Sequence, residues 1–389
     1  MSRLGALSAS AMRAAKTYSY WIARLVNAGA AQPLADYVVI DSAGYIYGWT
    51  GSRLSKYDST GVKQWEYTIS VFSVGSSSAK MVMDSSNNII LAGNTGASAG
   101  VVAKINSSGS VQWSKSYSGT SEFSAVTVDS SNNIYLAASS KIIALDSSGS
   151  VSWAKNISFT PVAMEYSGGN IFLANGSNYW KMDTSGAIVW QYQYTTGTKA
   201  IRSIKTGSSG NVYMTGTYYV SSTPYPWLLN FSDAGTSASI SWQYYLSATG
   251  GASPENNIAV DSSNNVYWIA STGSSSMIAK LDSSASISWQ NSINQTAGVN
   301  SGIALESSNT LYLGLRQLYK LPTNGTKTGT YAFSSPTTSI TYSSSSYSLN
   351  ATSITLTATS ATTSNATITL GSPGVAATAG TFTAQKITL

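Results

Sequence analysis

The sequence of 389 residues contains no cysteine and no histidine. Without cysteine the chain can form no disulfide bond and no thiolate nucleophile, and without histidine it lacks the usual general base and the usual zinc ligands. Only 9% of the residues are charged, against about a quarter in ordinary globular proteins. No apolar run reaches the roughly 18 residues that indicate a membrane-spanning helix. We therefore expect no metal, no cofactor and no membrane insertion.

Acidic and basic side chains are scattered along the chain. The net charge is +6, and the lysines and arginines form neither runs nor clusters interleaved with aromatic residues, which argues against a nucleic-acid partner. Most of the 15 acidic residues stand at predicted turns, and Glu122, Glu165 and Glu255 are isolated from one another in the sequence. Folding could bring two carboxylates together, but no motif indicates a catalytic pair. The sequence favours a protein that is not an enzyme.

What the chain has in abundance is an internal repeat. The segments VDSSNNIYLAASSKIIALDSSGSVSW (128–153) and VDSSNNVYWIASTGSSSMIAKLDSSASISW (260–289) share an Asp/Ser/Asn turn, strand-like segments, a second turn and a final Trp. This Trp recurs at spacings of 37 to 52 residues. Seven residues occupy the position: Trp21, Trp65, Trp113, Trp153, Trp190, Trp242 and Trp289.

The repeat predicts an all-β fold. A period of about 45 residues that contains only short strands is typical of the blades of a β-propeller. Each unit divides into four strands, a to d, which in the third unit cover 124–129, 134–138, 142–146 and 151–155. Asp and Asn favour the two turns, and we interpret the Trp as a structural wedge between neighbouring sheets. The prediction is a seven-bladed β-propeller of four-stranded blades.

Five lysines recur at one place in strand c, and we interpret them as scaffold residues. Three of them stand two residues before an Asp, which places both side chains on the same face of the strand. We therefore expect ion pairs within strand c. The predicted pairs are Lys56–Asp58, Lys181–Asp183 and Lys280–Asp282, and the two remaining lysines are Lys104 and Lys320.

The ends of the repeat indicate how the ring closes. Trp21 stands in a strand d that precedes the first strand a, whereas the last unit (303–321) supplies strands a to c and has no Trp after its hairpin. An N-terminal strand that completes the seventh blade would remove both exposed sheet edges. The alternative is that Thr326–Phe333 provides the last strand. Residues 18–333 are predicted to form the propeller.

Two segments flank the predicted ring. Residues 1–17 are rich in alanine, carry three basic residues and do not resemble a signal peptide; we interpret them as an N-terminal docking arm. Residues 334–389 alternate Ser/Thr with apolar residues and contain one charged residue, a pattern of β-strands with a period of two. They form either a small β-domain or an assembly arm. Both flanks are expected to contact other proteins of an assembly.

The interval between Trp190 and Trp242 is the widest and contains the extra segment YYVSSTPYPW (218–227). Aromatic residues and two prolines on a loop favour a rigid binding surface for a partner or a sugar ring. The alternative interpretation is a strand extension that caps the neighbouring blade. The candidate binding residues are Tyr218, Tyr219, Tyr225 and Trp227.

The repeat resembles known families. Segments such as VVAKINSSGSVQWSKSYSG and MIAKLDSSASISWQNSI look like bacterial β-propeller repeats of the SBBP type, and the Asp–turn–Gly–Trp ending is similar to the tryptophan-docking motif of PQQ-like propellers. The resemblance covers roughly 18–333 and implies the fold, because propellers carry many functions. Quinoprotein dehydrogenases of this type would also bring calcium ligands and often a vicinal Cys pair, and this chain has no Cys.

By composition the chain looks like bacteriophage virion proteins of tails, fibres or capsid decoration. We therefore expect a structural or adhesive virion component that presents propeller loops to a partner or to a glycan on the host surface. The alternative is a secreted glycan-binding propeller, located outside the cell or on a bacterial surface. A quinoprotein-like enzyme is a remote third alternative.

Overall fold

The protein is an all-β ring. The structure is a computed structural model, and no helix in its described part could cross a membrane. Seven antiparallel sheets succeed one another along the chain, which confirms the predicted seven-bladed β-propeller. The predicted arm at 1–17 lies outside the described residues. These are 20–27, 30–32, 35–51, 53–69, 72, 79–94, 99–117, 120, 122–176, 178–194, 199–247, 257–273, 275–294, 301–307, 310–315, 317–327, 329–334, 337–346, 349–351, 356–358, 364–365, 370–371, 377–379 and 383–388.

Each of the first six blades is a run of four consecutive strands. The chain begins with β1 (Trp21–Asn27) and β2 (Ala30–Gln32). Blade 1 contains β3 (Tyr37–Ile40), β4 (Ile46–Thr50), β5 (Arg53–Tyr57) and β6 (Lys63–Ile69). Blade 2 contains β7 (Lys80–Met83), β8 (Ile89–Asn94), β9 (Gly100–Ile105) and β10 (Val111–Tyr117). Blade 3 contains β11 (Phe123–Val128), β12 (Ile134–Ala138), β13 (Lys141–Leu145) and β14 (Val151–Asn156).

The second half of the ring continues in the same order. Blade 4 contains β15 (Ala163–Ser167), β16 (Asn170–Ala174), β17 (Asn178–Asp183) and β18 (Ile188–Tyr194). Blade 5 contains β19 (Lys199–Thr206), β20 (Asn211–Val220), β21 (Thr223–Asp233) and β22 (Ala238–Leu246). Blade 6 contains β23 (Ile258–Val260), β24 (Val266–Ser271), β25 (Ser276–Leu281) and β26 (Ile287–Ile293). Blade 7 takes β27 (Gly302–Ser307), β28 (Thr310–Leu315) and β29 (Gln317–Pro322) from this region.

The N-terminal strand completes blade 7. Strand β1 pairs with β29, with Trp21 opposite Lys320 and Ile22 opposite Tyr319. This confirms the predicted N-terminal closure. The alternative, in which Thr326–Phe333 supplies the last strand, is wrong: β30 (Gly329–Ser334) pairs with β31 (Thr337–Ser344), and β31 continues the sheet of blade 6. Closure by a distant strand ties the two ends of the ring together through backbone hydrogen bonds.

The core lies between the blades. Seven clusters of buried apolar side chains fill the seven spaces between neighbouring sheets. Tyr47 of blade 1 shares one cluster with Leu91 of blade 2, and Ile90 of blade 2 shares the next with Leu136 of blade 3. Since successive side chains of a strand point to opposite faces, each sheet contributes to two clusters. The apolar residues of a blade are therefore buried only when both neighbours are present.

The C-terminal segment adds a further strand to every blade, and we call β31 to β37 the belt. These strands pair with the outermost strand of blades 6, 5, 4, 3, 2, 1 and 7 in that order. The segment 334–389 therefore pairs with the propeller's own sheets around the whole ring. The remaining belt strands are β32 (Leu349–Ala351), β33 (Leu356–Ala358), β34 (Ser364–Asn365), β35 (Leu370–Gly371), β36 (Ala377–Ala379) and β37 (Thr383–Thr388).

The ring has two distinct ends. Because consecutive strands of a blade are antiparallel, the connections from a to b and from c to d lie at one end, which we call the turn face. The connections from b to c and from blade to blade lie at the other end, which we call the hairpin face. The first strands of all seven blades surround the central channel and run from the hairpin face to the turn face.

Candidate functional site

The Asp that recurs in the first turn of the repeat is a structural cap. In blade 3, Asp129 Oδ1 accepts hydrogen bonds from the backbone N–H groups of Ser131 and Asn133, both at 2.8 Å. Its Oδ2 accepts the Tyr135 hydroxyl at 3.0 Å and the Asn133 amide at 2.9 Å. A carboxylate that bonds to the backbone two and four residues ahead stabilises a tight turn. Asp41, Asp84 and Asp261 make the corresponding backbone bonds in their own turns.

The second turn of the repeat is built in the same way and also receives the neighbouring Trp. Asp146 Oδ1 accepts hydrogen bonds from Ser148 and Ser150, and the hydroxyl of Ser148 holds the pKa of this carboxyl below its usual range. Gly149 has a φ of +78°, which favours glycine. A β-carbon on Gly149 would approach the Trp113 ring to 3.0 Å. The Gly therefore serves both the turn and the packing of the Trp.

All seven repeat Trp residues reach from one blade to the next. Each indole N–H donates to the second turn of the following blade, so each ring fixes the position of its neighbour as well as filling space. The acceptors, in chain order of the Trp, are the carbonyls of Ser59, Ser107, Ser147 and Thr184, the carboxylate of Asp233, and the carbonyls of Ser283 and Thr323, at 2.7 to 3.3 Å.

The strand-c lysines bind elsewhere than predicted. Lys104 Nζ lies 2.9 Å from Asp84, and Lys181 Nζ lies 2.7 Å from Asp233 of the next blade. Lys56 Nζ lies 3.8 Å from Asp41, so the predicted pairs within strand c are wrong for Lys56 and Lys181. The reason is that Asp58 and Asp183 cap their own turns. Lys280 lies over the Tyr267 ring.

The turn face is therefore occupied by structural contacts. Burial works to raise the pKa of Asp84, but hydrogen bonds from Lys104 and Asn88 outweigh it and hold that pKa below its usual range. Within the described ranges, no group of three or more Asp and Glu side chains could hold a metal ion. The candidate surfaces for binding lie at the hairpin face and in the channel.

The segment 218–227 forms an extended β-hairpin of blade 5. Its turn is Ser221–Ser222, with φ values of +47° and +70°, as in the two-residue turns that match strand twist. The paired strands continue two residue pairs beyond the end of β19 and four pairs beyond the last pair with β22. Val220 and both serines are exposed. We call residues 217–226 the blade-5 hairpin.

The four candidate binding residues have unequal exposure. Tyr218, Tyr219 and Tyr225 are half-buried, whereas Trp227 is fully buried in the cluster between blades 4 and 5. The rings of Tyr218 and Tyr225 lie 5.6 and 5.1 Å from the ring of Tyr245. Trp227 therefore supports the hairpin from within the sheet, and any contact with a partner falls to the tyrosines.

The two interpretations of this segment apply to different parts of it. Tyr218 and Tyr245 pack against the cluster between blades 4 and 5, as a strand extension that caps the neighbouring blade would. Tyr219 is on the opposite face of the strand from Tyr218. Pro224 and Pro226 stand beyond the last pair with β22, and because proline has no N–H, they discourage the addition of another strand. The outer part is thus a preformed projection.

The central channel is the second candidate site. It has a volume of about 530 Å³ and is lined by the first strands of all seven blades. Near the turn face, Ile40, Met83, Val128, Val260 and Leu305 form an apolar layer. The first four pair with the first residue of their strand b, and Leu305 pairs with Leu311, the second residue of β28.

Charged side chains enter the channel from blades 2, 4 and 5. Lys205 Nζ lies 2.8 Å from Glu165 Oε2, and Lys80 Nζ donates to the Tyr37 hydroxyl at 3.1 Å. Arg202 lies at a β-bulge, where the pairing shifts between Ile201 and Ser203. A bulge redirects a side chain out of the regular alternation, and here it lets Arg202 line the channel.

Sequence reasoning missed the channel. Glu165 stood out only as an isolated acid, and Lys80, Arg202 and Lys205 were not singled out. The repeat does contain a signal for Glu165 and Lys205. When the blades are aligned by their strand pairing, these two residues fall at the position that Val82 and Ala259 occupy in other blades. A charged residue at an innermost position that is apolar in other repeats indicates a feature of the channel. The bulge that presents Arg202 leaves no comparable pattern.

No family profile and no curated protein sequence matches this chain. Several solved structures are similar in fold. A catalytically inactive virginiamycin B lyase from Staphylococcus aureus with quinupristin has a TM-score of 0.54 at 11% identity, covering 78% of this chain and 99% of that one. The WD40 propeller of Doa1 has a TM-score of 0.55 at 7% identity, covering 77% and 96%. The Pan2 WD40 domain of Neurospora crassa has a TM-score of 0.52 at 13% identity, covering 75% and 89%.

Proposed function

We propose that this propeller is a non-enzymatic adhesive and structural component of a bacteriophage virion. In this proposal the ring is a rigid scaffold, and the blade-5 hairpin presents tyrosines to a host surface or a partner protein. The observation that carries it is the preformed projection at Ser221–Ser222. The similar solved structures, at 7% to 13% identity, share the fold and differ in function.

The chemistry of the hairpin supports a binding role. Tyrosine offers a large, amphipathic contact area at a low cost in conformational entropy, which is why it is frequent in binding surfaces. The hairpin is fixed before any partner binds. Ser221 and Ser222 hold its turn with positive φ values, and the ring of Tyr225 packs on the ring of Tyr245. A preorganised surface loses little further freedom on binding. We assign the contact to Tyr219 on one face of the hairpin and, on the other, to the exposed part of Tyr225, which pairs with Tyr218.

The non-enzymatic part of the proposal rests on what the acidic side chains do. Asp41, Asp84, Asp129 and Asp261 hold the first turns, and Glu165 is paired with Lys205 in the channel. A general acid or base needs a side chain within reach of substrate, and these carboxylates are engaged in the scaffold. The similar lyase structure does not transfer its activity, since an identity of 11% supports the fold alone.

The assignment to a virion is supported by composition and by the belt. Only 9% of the residues are charged, and Ser, Thr, Gly and Asn dominate the turns. The belt adds backbone pairing to every blade, which suits a protein that must persist outside a cell. Residues 1–17 and the outer edges of the belt strands are the surfaces that we propose for contacts with other virion proteins.

The test measures adsorption. Purified protein is labelled and titrated on bacterial cells, with Tyr219→Ser/Tyr225→Ser as the variant and Val62→Ser as the matched control on the turn face. Val62 is 54% exposed, so its replacement alters a surface without touching the hairpin. We expect the double variant to bind at least 10-fold more weakly, or about 1.4 kcal/mol, and the control to bind like the original protein. Equal binding by all three would overturn the assignment.

A second measurement separates the virion from the secreted lectin. Mass spectrometry of purified phage particles should detect the chain at a fixed stoichiometry to a capsid protein. If the chain is instead found as a monomer in the medium that binds polysaccharide, the alternative of a secreted glycan-binding propeller is correct. The tyrosines of the hairpin can stack on sugar rings in either case.

A further inference from the structure

We propose that the central channel binds a small organic anion, with its acidic group on Arg202 and Lys80 and its apolar body against the layer near the turn face. This inference goes beyond the proposed adhesive function and does not depend on it. The hairpin projects from the hairpin face of blade 5, whereas the channel is formed by all seven blades.

The size and shape of the channel fit a small molecule. Its volume is about 530 Å³, within the roughly 300–1,000 Å³ of typical ligand pockets. The side chains around it come from seven separate strands held by the ring. Because the closed ring fixes those strands, the site exists before the ligand binds, which lowers the cost of ordering it.

The charge of the lining favours an anion. Three cationic side chains (Lys80, Arg202 and Lys205) face one carboxylate (Glu165) among the residues that line the channel, which leaves two formal positive charges. The pair between Lys205 and Glu165, at 2.8 Å, is satisfied within the protein. Lys80 Nζ donates a hydrogen bond to the hydroxyl of Tyr37 at 3.1 Å. The Arg202 guanidinium of blade 5 therefore carries the argument for an acceptor, and Lys80 of blade 2 adds to the positive charge of the lining.

Arg202 is the group that most clearly requires an acceptor. Its Nε is buried, and among the described residues no acceptor forms a hydrogen bond with it. A buried donor without an acceptor is costly, and more so in a charged group. The guanidinium presents a planar fork that matches a carboxylate, sulfonate or phosphate with two parallel bonds.

The half of the channel near the turn face determines which apolar body the ligand can carry. The layer of Ile40, Met83, Val128, Val260 and Leu305 is apolar and only partly covered by protein. An anion with an apolar body would place its acidic end on Arg202 and remove this layer from water, at about 25 cal/mol per Å² of apolar area buried. Inorganic phosphate would contact only the cationic side chains and would leave the apolar layer uncovered. The class of ligand is therefore an amphiphilic anion, such as an aliphatic or aromatic acid.

The test uses 1-anilinonaphthalene-8-sulfonate, an aromatic sulfonate that fluoresces when it leaves water. The full chain is titrated with this dye, and the variants Arg202→Gln and Lys80→Gln are compared with it. Lys141→Gln is the matched control, because Lys141 begins strand β13 outside the channel lining. We expect saturable binding at one site, weakened at least 10-fold by Arg202→Gln and several-fold by Lys80→Gln. The control should retain the original affinity.

Competition then identifies the class of ligand. Octanoate should displace the dye, whereas inorganic phosphate at the same concentration should not. Displacement by phosphate alone would overturn the apolar half of the proposal. Equal dye binding by the original protein and by both channel variants, with unchanged melting temperatures, would overturn the site itself. Tyr219→Ser/Tyr225→Ser should bind the dye normally, so failure here and failure of the adhesive function are distinguishable.

Discussion

The side-chain carbonyl of Asn132 accepts hydrogen bonds from both the backbone N–H and the hydroxyl of Ser85 in the preceding blade, each at 2.9 Å. The amide of Asn132 donates in return to Ser86 at 3.4 Å. The φ of Asn132 is +66°, a conformation that Asn tolerates better than most residues. The motif DSSNN thus encodes a turn and a clamp between blades.

Two variants at Asn132 separate the clamp from the turn. Asn132→Gly keeps the left-handed backbone but removes the clamp, and we expect it to lower the free energy of unfolding by about 1 kcal/mol. Asn132→Ala removes the clamp and keeps a β-carbon in the left-handed region without the polar group that makes this conformation tolerable for Asn, which adds about 1 kcal/mol. Denaturant titration of both variants checks the order. A variant with Ala as stable as the one with Gly would contradict the role of the backbone.

The Trp contacts predict a graded loss of stability. Trp153→Ala removes a partly buried ring and the bond from its indole N–H to the Thr184 carbonyl at 2.9 Å, and should cost roughly 3 kcal/mol. Trp153→Phe keeps most of the ring and loses mainly the hydrogen bond, which costs about 1 kcal/mol. Thermal unfolding measures both. Equal effects would show that the hydrogen bond, rather than the ring, dominates the contact.

Acid should weaken the ring through its turn carboxylates. The pKa values of Asp84 and Asp146 are held below their usual range, so protons bind more tightly to the unfolded chain. Each therefore contributes stability above an unfolded pKa of about 3.9 that is lost as the pH falls through the folded pKa. Glu66 acts in the opposite direction, because burial raises its pKa. We expect the melting temperature to fall as the pH is lowered from about 5 to about 2.

Amide variants identify the carboxylates responsible. Asp146→Asn should change the stability little at pH 7, since Asn106 makes the same three bonds in the equivalent turn of blade 2, and it should remove the part of the acid sensitivity that comes from Asp146. Asp84→Asn should be less stable at pH 7 and less sensitive to acid, because it loses the ion pair with Lys104 at 2.9 Å. Melting curves across the pH range measure the difference. If Asp84→Asn remained as sensitive to acid as the original protein, this explanation would be contradicted.

The ring could be predicted from the sequence, but the belt could not. The Trp period and the unmatched strand at Trp21 identify the blades and their closure, because each repeat is local and each signal recurs. Five of the seven belt strands, including Leu370–Gly371, contain only two or three residues and pair through backbone groups with distant strands, so their side-chain pattern carries little information. The ion pair of Lys181 with Asp233 was missed because it joins different blades. Arg202 was missed because a bulge has no sequence period.

Removal of the belt tests its role in closing the sheets. Deletion of 337–389 would leave the outer strand of each blade with unpaired backbone groups, and exposed strand edges promote association between chains. We expect a lower melting temperature and the appearance of oligomers in light scattering. Deletion of 1–17 is the control and should leave the ring monodisperse. A belt-free protein that stays monomeric with an unchanged melting temperature would contradict the pairing.

The turn of the blade-5 hairpin provides a further test of the proposed surface. Ser221→Asn/Ser222→Gly introduces residues that favour positive φ at both positions, and should preserve adsorption to cells. Ser222→Pro fixes φ near −65°, against the observed +70°, and should disrupt the projection. We expect weakened adsorption with an almost unchanged melting temperature for the ring. Full adsorption by the proline variant would show that the shape of the hairpin is not used.

The most direct measurement is site-specific photocrosslinking. Tyr225 and, in a separate protein, Val62 of the turn face are replaced by p-benzoylphenylalanine and irradiated in the presence of host cells or partner proteins. If the blade-5 hairpin is the binding surface, covalent adducts form from position 225 and not from position 62. Adducts from position 62 alone, or from neither position while adsorption persists, would contradict it.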